Sequence, residues 1–297
     1  MREFIIGINE AGQRLDKYLK KILPNASSGF LYKMLRKKNI TCNKAKMTGK
    51  EQLKKGDRIQ IFFSEETFMK FMQDPEKLKN EFEQLKTLPL KGLRVVYEDE
   101  DILIADKPYN MLSQKAKDHD ISANEYLLGY LIRSGSLELE GFASFRPSVC
   151  NRLDRNTTGL LLMGKSLNGS QTLSQALKDR TIRKFYRALV SGEIKESAHL
   201  SGYLRKDEKT NQVEILEKEA DNASYIETAY EPVAYKNGVT ELEIHLITGR
   251  THQIRAHLAA HGYTLAGDEE HRSKTDPFHR LCLHARTLEF NHPFTGQ

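Results

Sequence analysis

Asn151-Arg152-Leu153-Asp154-Arg155-Asn156-Thr157-Thr158-Gly159 runs directly into Leu160-Leu161-Leu162-Met163. A polar stretch that ends in glycine and gives way to an unbroken apolar run is a loop feeding a buried strand. On its N-terminal side, Val95-Val96-Tyr97 and Ile102-Leu103-Ile104-Ala105 are short apolar strands joined through the acidic turn Glu98-Asp99-Glu100-Asp101. On its C-terminal side, residues 184–190 and 241–246 alternate apolar and polar as half-buried strands do. Helical spacing covers Ser122 to Ser134, Ser166 to Asp179 and His252 to His261. These helices interrupt the strands irregularly. The expected class is therefore α+β, with a mixed, mainly antiparallel sheet flanked by helices and loops, and not a doubly wound parallel sheet.

The first 63 residues form a separate pattern. Leu15, Tyr18, Leu19 and Ile22 share a helix face that Pro24 terminates, and Ser27 or Ser28 caps a second helix carrying Leu31, Met34 and Leu35. Residues 40–43 and 58–62 are short strands around the glycines at 49 and 56, which completes a small α+β module. This module holds 15 Lys and Arg against five Asp and Glu, a net +10, and leaves −4 for the remainder of a chain whose total is +6. Positive charge concentrated at one end suits a polyanionic partner, with a merely solvated lysine-rich surface as the competing explanation. Residues 64–91, rich in Glu and Lys, are expected to be a charged linker or exposed helix, so the division is 1–63, 64–91 and 92–297. The opening apolar stretch is too short for a signal peptide and no later run is long enough for a membrane span. A cytoplasmic protein without a membrane partner is expected. Cys42, Cys150 and Cys282 are odd in number and widely separated, which fits neither a disulfide framework nor a metal knuckle.

Asp154 lies between Arg152 and Arg155, and neighbouring positive charge favours the carboxylate form of an aspartate. Such a group can serve as nucleophile or base. On the residues alone, an aspartate capping the Thr157-Thr158-Gly159 turn remains the commoner explanation. In Thr248-Gly249-Arg250-Thr251-His252-Gln253-Ile254-Arg255 a strand ends at a glycine turn and a helix opens with two arginines, either of which could meet a carboxylate or a phosphate. His257 and His261 stand four apart, as zinc ligands can, but no acid accompanies them, and packing or capping roles fit better. The acidic turn lacks the spacing of a calcium loop. Cys150 lies close to Asp154, but a reactive thiol would need a nearby electropositive partner and a defined turn, and a reduced bystander fits better.

The segments NRLDRNTTGLLLMGK, RKFYRALVSG, LITGRTHQIRAHLAAHG and LCLHARTLEFNHP, with LIADKPYNM before them, together resemble the RluA family of RNA pseudouridine synthases, from about residue 93 to 297. QRLDKYLKK, SSGFLYKMLRKKNI and LKKGDRI resemble an S4-like RNA-binding domain over roughly residues 12 to 62. The resemblance implies an isomerase, without metal or cofactor, that breaks the C1′–N1 bond of a flipped uridine in structured RNA and forms a C1′–C5 bond. It further implies Asp154 as the catalytic carboxylate, Tyr186 as the aromatic against the uracil and Arg255 as the cation paired with Asp154. Arg152 would enter the RNA stack, and Ile254 and Arg250 would contact substrate. Arg14, Lys33, Arg36, Lys37 and Lys38 are the expected RNA contacts of the N-terminal module. The expected partner of this monomer is 23S-type rRNA, with tRNA as the other option. A non-catalytic RNA-binding or ribosome-assembly protein is the alternative. A glycoside hydrolase would need a second carboxylate, which the motif does not mark. Asn151 stands where that family most often has His, so altered target contacts are expected, and the chain's last residues suggest a short or missing final strand.

Overall fold

The computed structural model describes residues 1–7, 10–207, 213–268 and 278–296. At the N-terminus β1 (Arg2–Ile5), β2 (Ile40–Cys42) and β3 (Arg58–Ile61) form an antiparallel sheet in the order β1-β3-β2. Two helices, α1 (Leu15–Ile22) and α2 (Ser28–Arg36), close a core on it from Ile6, Leu15, Leu19, Leu31, Ile59 and Ile61. Ser27 caps α2 by accepting the Phe30 N–H at 3.2 Å. The strand β1 is not legible in Arg2-Glu3-Phe4-Ile5 itself. It exists because the edge of β3 offers it a ladder.

Residues 64–91 are two packed helices in the structure. Ser64 caps α3 (Glu65–Phe71), which buries Phe68 in the N-terminal core. Asp74 caps α4 (Pro75–Thr87), which buries Phe82 and Leu85 in the main core. One apolar residue per turn suffices to seat a helix lying flat on a core, and a Glu/Lys-rich composition conceals it.

The large sheet contains β4 (Arg94–Glu98), β5 (Ile102–Lys107), β6 (Ser148–Val149), β7 (Thr158–Gly164), β8 (Arg183–Ser191), β9 (Ala198–Lys206), β10 (Val213–Leu216), β11 (Ala223–Lys236), β12 (Val239–Leu246) and β13 (Leu283–Glu289). Their order is β10-β9-β11-β12-β8-β13-β7-β5-β4, with β6 also on β7, and every pairing among the described residues is antiparallel except β13 with β7. The molecule is thus α+β with a mainly antiparallel sheet. The remaining helices are α5 (Ala123–Arg133), α6 (Leu139–Ser144), α7 (Leu167–Lys178) and α8 (Gln253–Ala260). Leu161 and Met163 of β7 join the main core with Leu127 and Leu131 of α5, whereas Leu162 faces a smaller core with Leu173 of α7. Cover on both faces is why residues 160–163 are apolar without a break. The N-terminal unit meets the main body at α6, where the Ser144 hydroxyl donates to Glu10 and the Lys21 ammonium lies 5.6 Å from the Phe145 ring centre. No helix among the described residues is long and apolar enough to cross a membrane.

Candidate active site

The Asp154 loop joins β6 to β7, which pair antiparallel, so residues 150–157 are the tip of a hairpin. The Cys150 N–H donates to the Leu162 carbonyl at 2.7 Å. Asn151 then extends the ladder with its side chain, its Oδ1 accepting the Leu162 N–H at 2.7 Å and its Nδ2 donating to the Leu160 carbonyl at 3.2 Å. The loop returns through a turn in which the Thr157 N–H donates to the Asp154 carbonyl at 3.1 Å. It enters β7 through Gly159, whose φ is +115°. A Cβ there would sit 2.2 Å from the Ala285 carbonyl oxygen on β13, so no larger residue fits.

Two buried side chains fasten this loop to the segment after β5. The Ser113 hydroxyl donates to the Leu153 carbonyl at 2.8 Å and accepts the Leu153 N–H at 3.0 Å. The Lys107 ammonium, with no exposed surface, donates to the carbonyls of Met111, Arg155 and Pro108 at 2.8, 3.1 and 3.2 Å. Burial pushes the Lys107 pKa down to about 8, and the Asp154 carboxylate partly opposes the fall. Asp154 is thereby held by its neighbours' backbone on both sides.

Asp154 opens onto a cavity of about 210 Å³ whose walls include Asn156, His252, Arg255, Asp268 and Leu281. His252 adopts a left-handed conformation (φ 55°) at the cap of α8 and brings its Nε2 to 3.8 Å from Asp154 Oδ2. Its Nδ1 is buried without a hydrogen-bond partner among the described residues. The start of α8 is fixed by Gln253, which uses all of its amide. Its Oε1 accepts from the Thr248 hydroxyl at 2.8 Å and the Arg250 N–H at 3.0 Å, while its Nε2 donates to the Glu227 carbonyl and Thr228 Oγ1, both at 3.0 Å. Tyr186 of β8 is buried and does not line this cavity, and burial together with the Asp154 charge pushes its phenol well above the ordinary range. A proton bound that firmly suits a hydrogen-bond donor better than a base at neutral pH.

The expected residues are distributed unevenly. Asp154 and Arg255 share the cavity, but they do not pair. Arg255 makes a bidentate bridge to the buried Asp268, from Nε at 2.9 Å and from its terminal nitrogen at 2.7 Å. Gly267, at φ +74° with its backbone packed against Arg280, delivers that carboxylate to the guanidinium. Arg152 and Arg155, which flank Asp154 in sequence, are exposed, and neither guanidinium lies within 4 Å of its carboxylate. Ile254 is only 5% exposed and belongs to the main core; it does not line this cavity. Arg250 is exposed. Asn151, expected to alter target contacts, has its amide committed to β7. In the N-terminal module Lys33, Arg36, Lys37 and Lys38 are exposed and make no ion pair among the described residues, whereas Arg14 is bidentate to Asp16.

Four contributors went unassigned in the sequence: Lys107, Ser113, His252 and Asp268. Lys107 alone left a trace, as a lysine between an apolar strand pattern and a proline. The other three act through contacts that no local pattern encodes. The groups weighed for other chemistry are otherwise occupied. Asp99 accepts from the Asp101 and Ile102 N–H groups, both at 2.8 Å, and Glu98 meets Lys165 and Tyr130, both at 2.7 Å. Burial pushes the Cys150 thiol up. His257 is fully buried against Thr228, and burial lowers its pKa to about 4.

A family model described as RNA pseudouridylate synthase matches residues 101–260, which include Asp154, Tyr186 and Arg255. The chain is 30% identical to ribosomal large subunit pseudouridine synthase C of Vibrio vulnificus, over 99% of this chain and 90% of the relative. It is 29% identical to ribosomal large subunit pseudouridine synthase D of Nitrosomonas europaea, over 99% and 82%. Among solved structures, human RNA pseudouridylate synthase domain containing 1 superposes with a TM-score of 0.54 at 23% identity, covering 67% of this chain and 78% of the human one.

Proposed function

We propose a target and a set of residue roles for this enzyme, which belongs to the RNA pseudouridylate synthase family and is an RNA pseudouridine synthase of the RluA type. Its target is a uridine in large-subunit rRNA, the substrate named for both relatives above. The Asp154 carboxylate acts on the sugar of a uridine flipped into the cavity. The C1′–N1 bond breaks, the uracil turns, a C1′–C5 bond forms, C5 loses its proton to water and N1 gains one. Atoms balance without a second substrate, and no electron is transferred, so the reaction calls for neither redox group nor metal. Tyr186 supports the base as a hydrogen-bond donor. Arg255, steadied by Asp268, holds its guanidinium at the cavity wall as a hydrogen-bond donor. Arg152, exposed on the loop and without an ion pair among the described residues, fills the gap that the flipped base leaves, which offsets part of an unstacking cost on the order of a few kcal/mol.

The observation that carries this reading is the fastening of the Asp154 loop by Lys107, Ser113 and Asn151, because a carboxylate that must meet a reacting atom has to be held in place. A carboxylate serving only to cap a turn needs no such support. Lys33, Arg36, Lys37 and Lys38 give the N-terminal module, an S4-like domain in this reading, its hold on RNA phosphates. In this reading the enzyme acts as a monomer, in the cytoplasm where rRNA is found. The test is a map of pseudouridines in rRNA and tRNA from cells with and without the gene. One or more large-subunit positions should revert to uridine. Loss confined to tRNA would overturn the target assignment and leave the chemistry standing.

A further inference from the structure

A second cavity, of about 380 Å³, adjoins the first and is the larger of the two. Arg155 lines both, so a ligand here lies beside the cavity that the Asp154 carboxylate opens onto. Its walls also include Lys91, Tyr109, Asn110, Asp120 and Tyr126. The Lys91 ammonium lies 5.8 Å from the centre of the Tyr126 ring. Lys91 and Asn110 both hold left-handed backbone, at φ 47° and 58°, a conformation that non-glycine residues adopt at a cost and that concentrates at functional positions. The wall from Pro108 to Ser113 is stitched to the catalytic loop. The Met111 N–H and Lys107 Nζ both donate to the Arg155 carbonyl, at 3.2 and 3.1 Å, and Ser113 holds Leu153.

We infer that this cavity receives a second nucleotide of the same RNA strand, one adjoining the uridine that enters the Asp154 cavity. The inference rests on the pseudouridine synthase reading. Two cations, Lys91 and Arg155, and a partly exposed tyrosine, Tyr109, on one cavity wall are what single-stranded nucleic acid asks of a protein: positive charge for the phosphate and an aromatic face for the base. The volume falls within the range of about 300 to 1,000 Å³ typical of small-ligand cavities, which admits a nucleotide. Charge sets the orientation. Asp120 spends Oδ2 on the N–H groups of Ala116 and Lys117, at 3.1 and 2.8 Å, and repels phosphate from its side. The phosphate therefore turns to Lys91 and Arg155, and the edge of the base turns to Asp120. A nucleotide seated here selects the sequence context beside the target uridine and adds to binding, while the position of Asp154 is fixed by the hydrogen bonds of its own loop.

Ile121 lines the cavity and is 48% exposed, which lets it carry a probe without disturbing a core. The full-length Ile121→p-benzoylphenylalanine variant is irradiated with total RNA from cells lacking the gene. Cross-links and new pseudouridines are then mapped in the same RNA. Cross-links within two nucleotides of a newly formed pseudouridine are expected. Pseudouridine formed with cross-links only at remote positions overturns the cavity assignment alone. No pseudouridine from the wild-type enzyme overturns the reaction beneath it, and the assignment with it. Lys91→Ala supplies an independent readout. KM should rise about tenfold, kcat should stay within about twofold, and the salt slope of binding should fall by about one. A lowered kcat with unchanged KM and salt slope would instead make Lys91 structural and contradict the assignment.

Discussion

Replacing Lys107 with methionine removes a charge and leaves the volume nearly unchanged, which separates two effects that usually travel together. The depression of its pKa from 10.5 to about 8 means that the fold disfavours the charged form by about 3 kcal/mol relative to the unfolded chain. Lys107→Met relieves that cost. Against it, the carbonyls of Pro108 and Met111 lose their donor, at about 1 to 3 kcal/mol each, while the Arg155 carbonyl keeps the Met111 N–H. The two contributions nearly cancel, so urea unfolding at pH 7 should show a loss of no more than about 3 kcal/mol. Activity should not be spared. With one of two restraints gone from the residue after Asp154, kcat should fall about 10- to 100-fold, the scale of a displacement near 1 Å.

A second signature is the response to pH. Folded Lys107 releases its proton at about pH 8 and the unfolded chain at 10.5, so between these values the unfolded state holds the extra proton and stability rises with pH. The wild type should gain up to about 3 kcal/mol from this residue across that window, and the variant should not. Turnover is read by release of tritium from C5 of labelled RNA, because C5 exchanges hydrogen for C1′. A Lys107→Met protein with wild-type kcat and a wild-type pH slope would refute the anchoring role.

Three further outcomes are expected. Gly159→Ala should destabilise the fold by at least about 2 kcal/mol, since the new methyl meets the Ala285 backbone at 2.2 Å on a left-handed residue; thermal unfolding checks it, and an unchanged Tm would contradict the packing of β7 on β13. His257 takes up a proton at about 4 when folded and 6.5 when unfolded, so its share of stability, about 3 kcal/mol, should be lost as pH falls through that interval. His257→Asn should flatten the decline in urea midpoints between pH 7 and 4.5, and an identical slope would exclude His257 as its source. Asn151→Ala should cost about 1 to 2 kcal/mol through the two ladder bonds it forfeits and lower kcat, whereas a change in the set of modified uridines would return Asn151 to target recognition.

The parts of the fold legible in the sequence were those with a period. The alternation in β8 and β12 and the unbroken run in β7 placed the sheet's centre, and the serines at 27, 122 and 166 marked helix starts that the structure uses. β1 and the packed faces of α3 and α4 were not legible, because the first depends on the edge of β3 and the others on single apolar residues among charges. At the site, the motif placed Asp154 and Arg255 near one another but missed that Arg255 belongs to Asp268, a partner 13 residues on that no spacing rule connects to it. The buried fasteners, Lys107 and Ser113, resemble ordinary surface residues in one dimension. Only the meeting of their donors with the loop's carbonyls makes them part of the site.

The most direct measurement is tritium release and pseudouridine mapping with purified Asp154→Asn protein on total RNA from cells lacking the gene, with RNA affinity measured alongside. The amide keeps the size of the carboxylate and removes its charge. The expected result is RNA binding within about twofold of wild type, with no pseudouridine formed and no tritium released. Turnover at more than about a tenth of the wild-type rate would contradict the assignment of Asp154 as the carboxylate that begins the reaction.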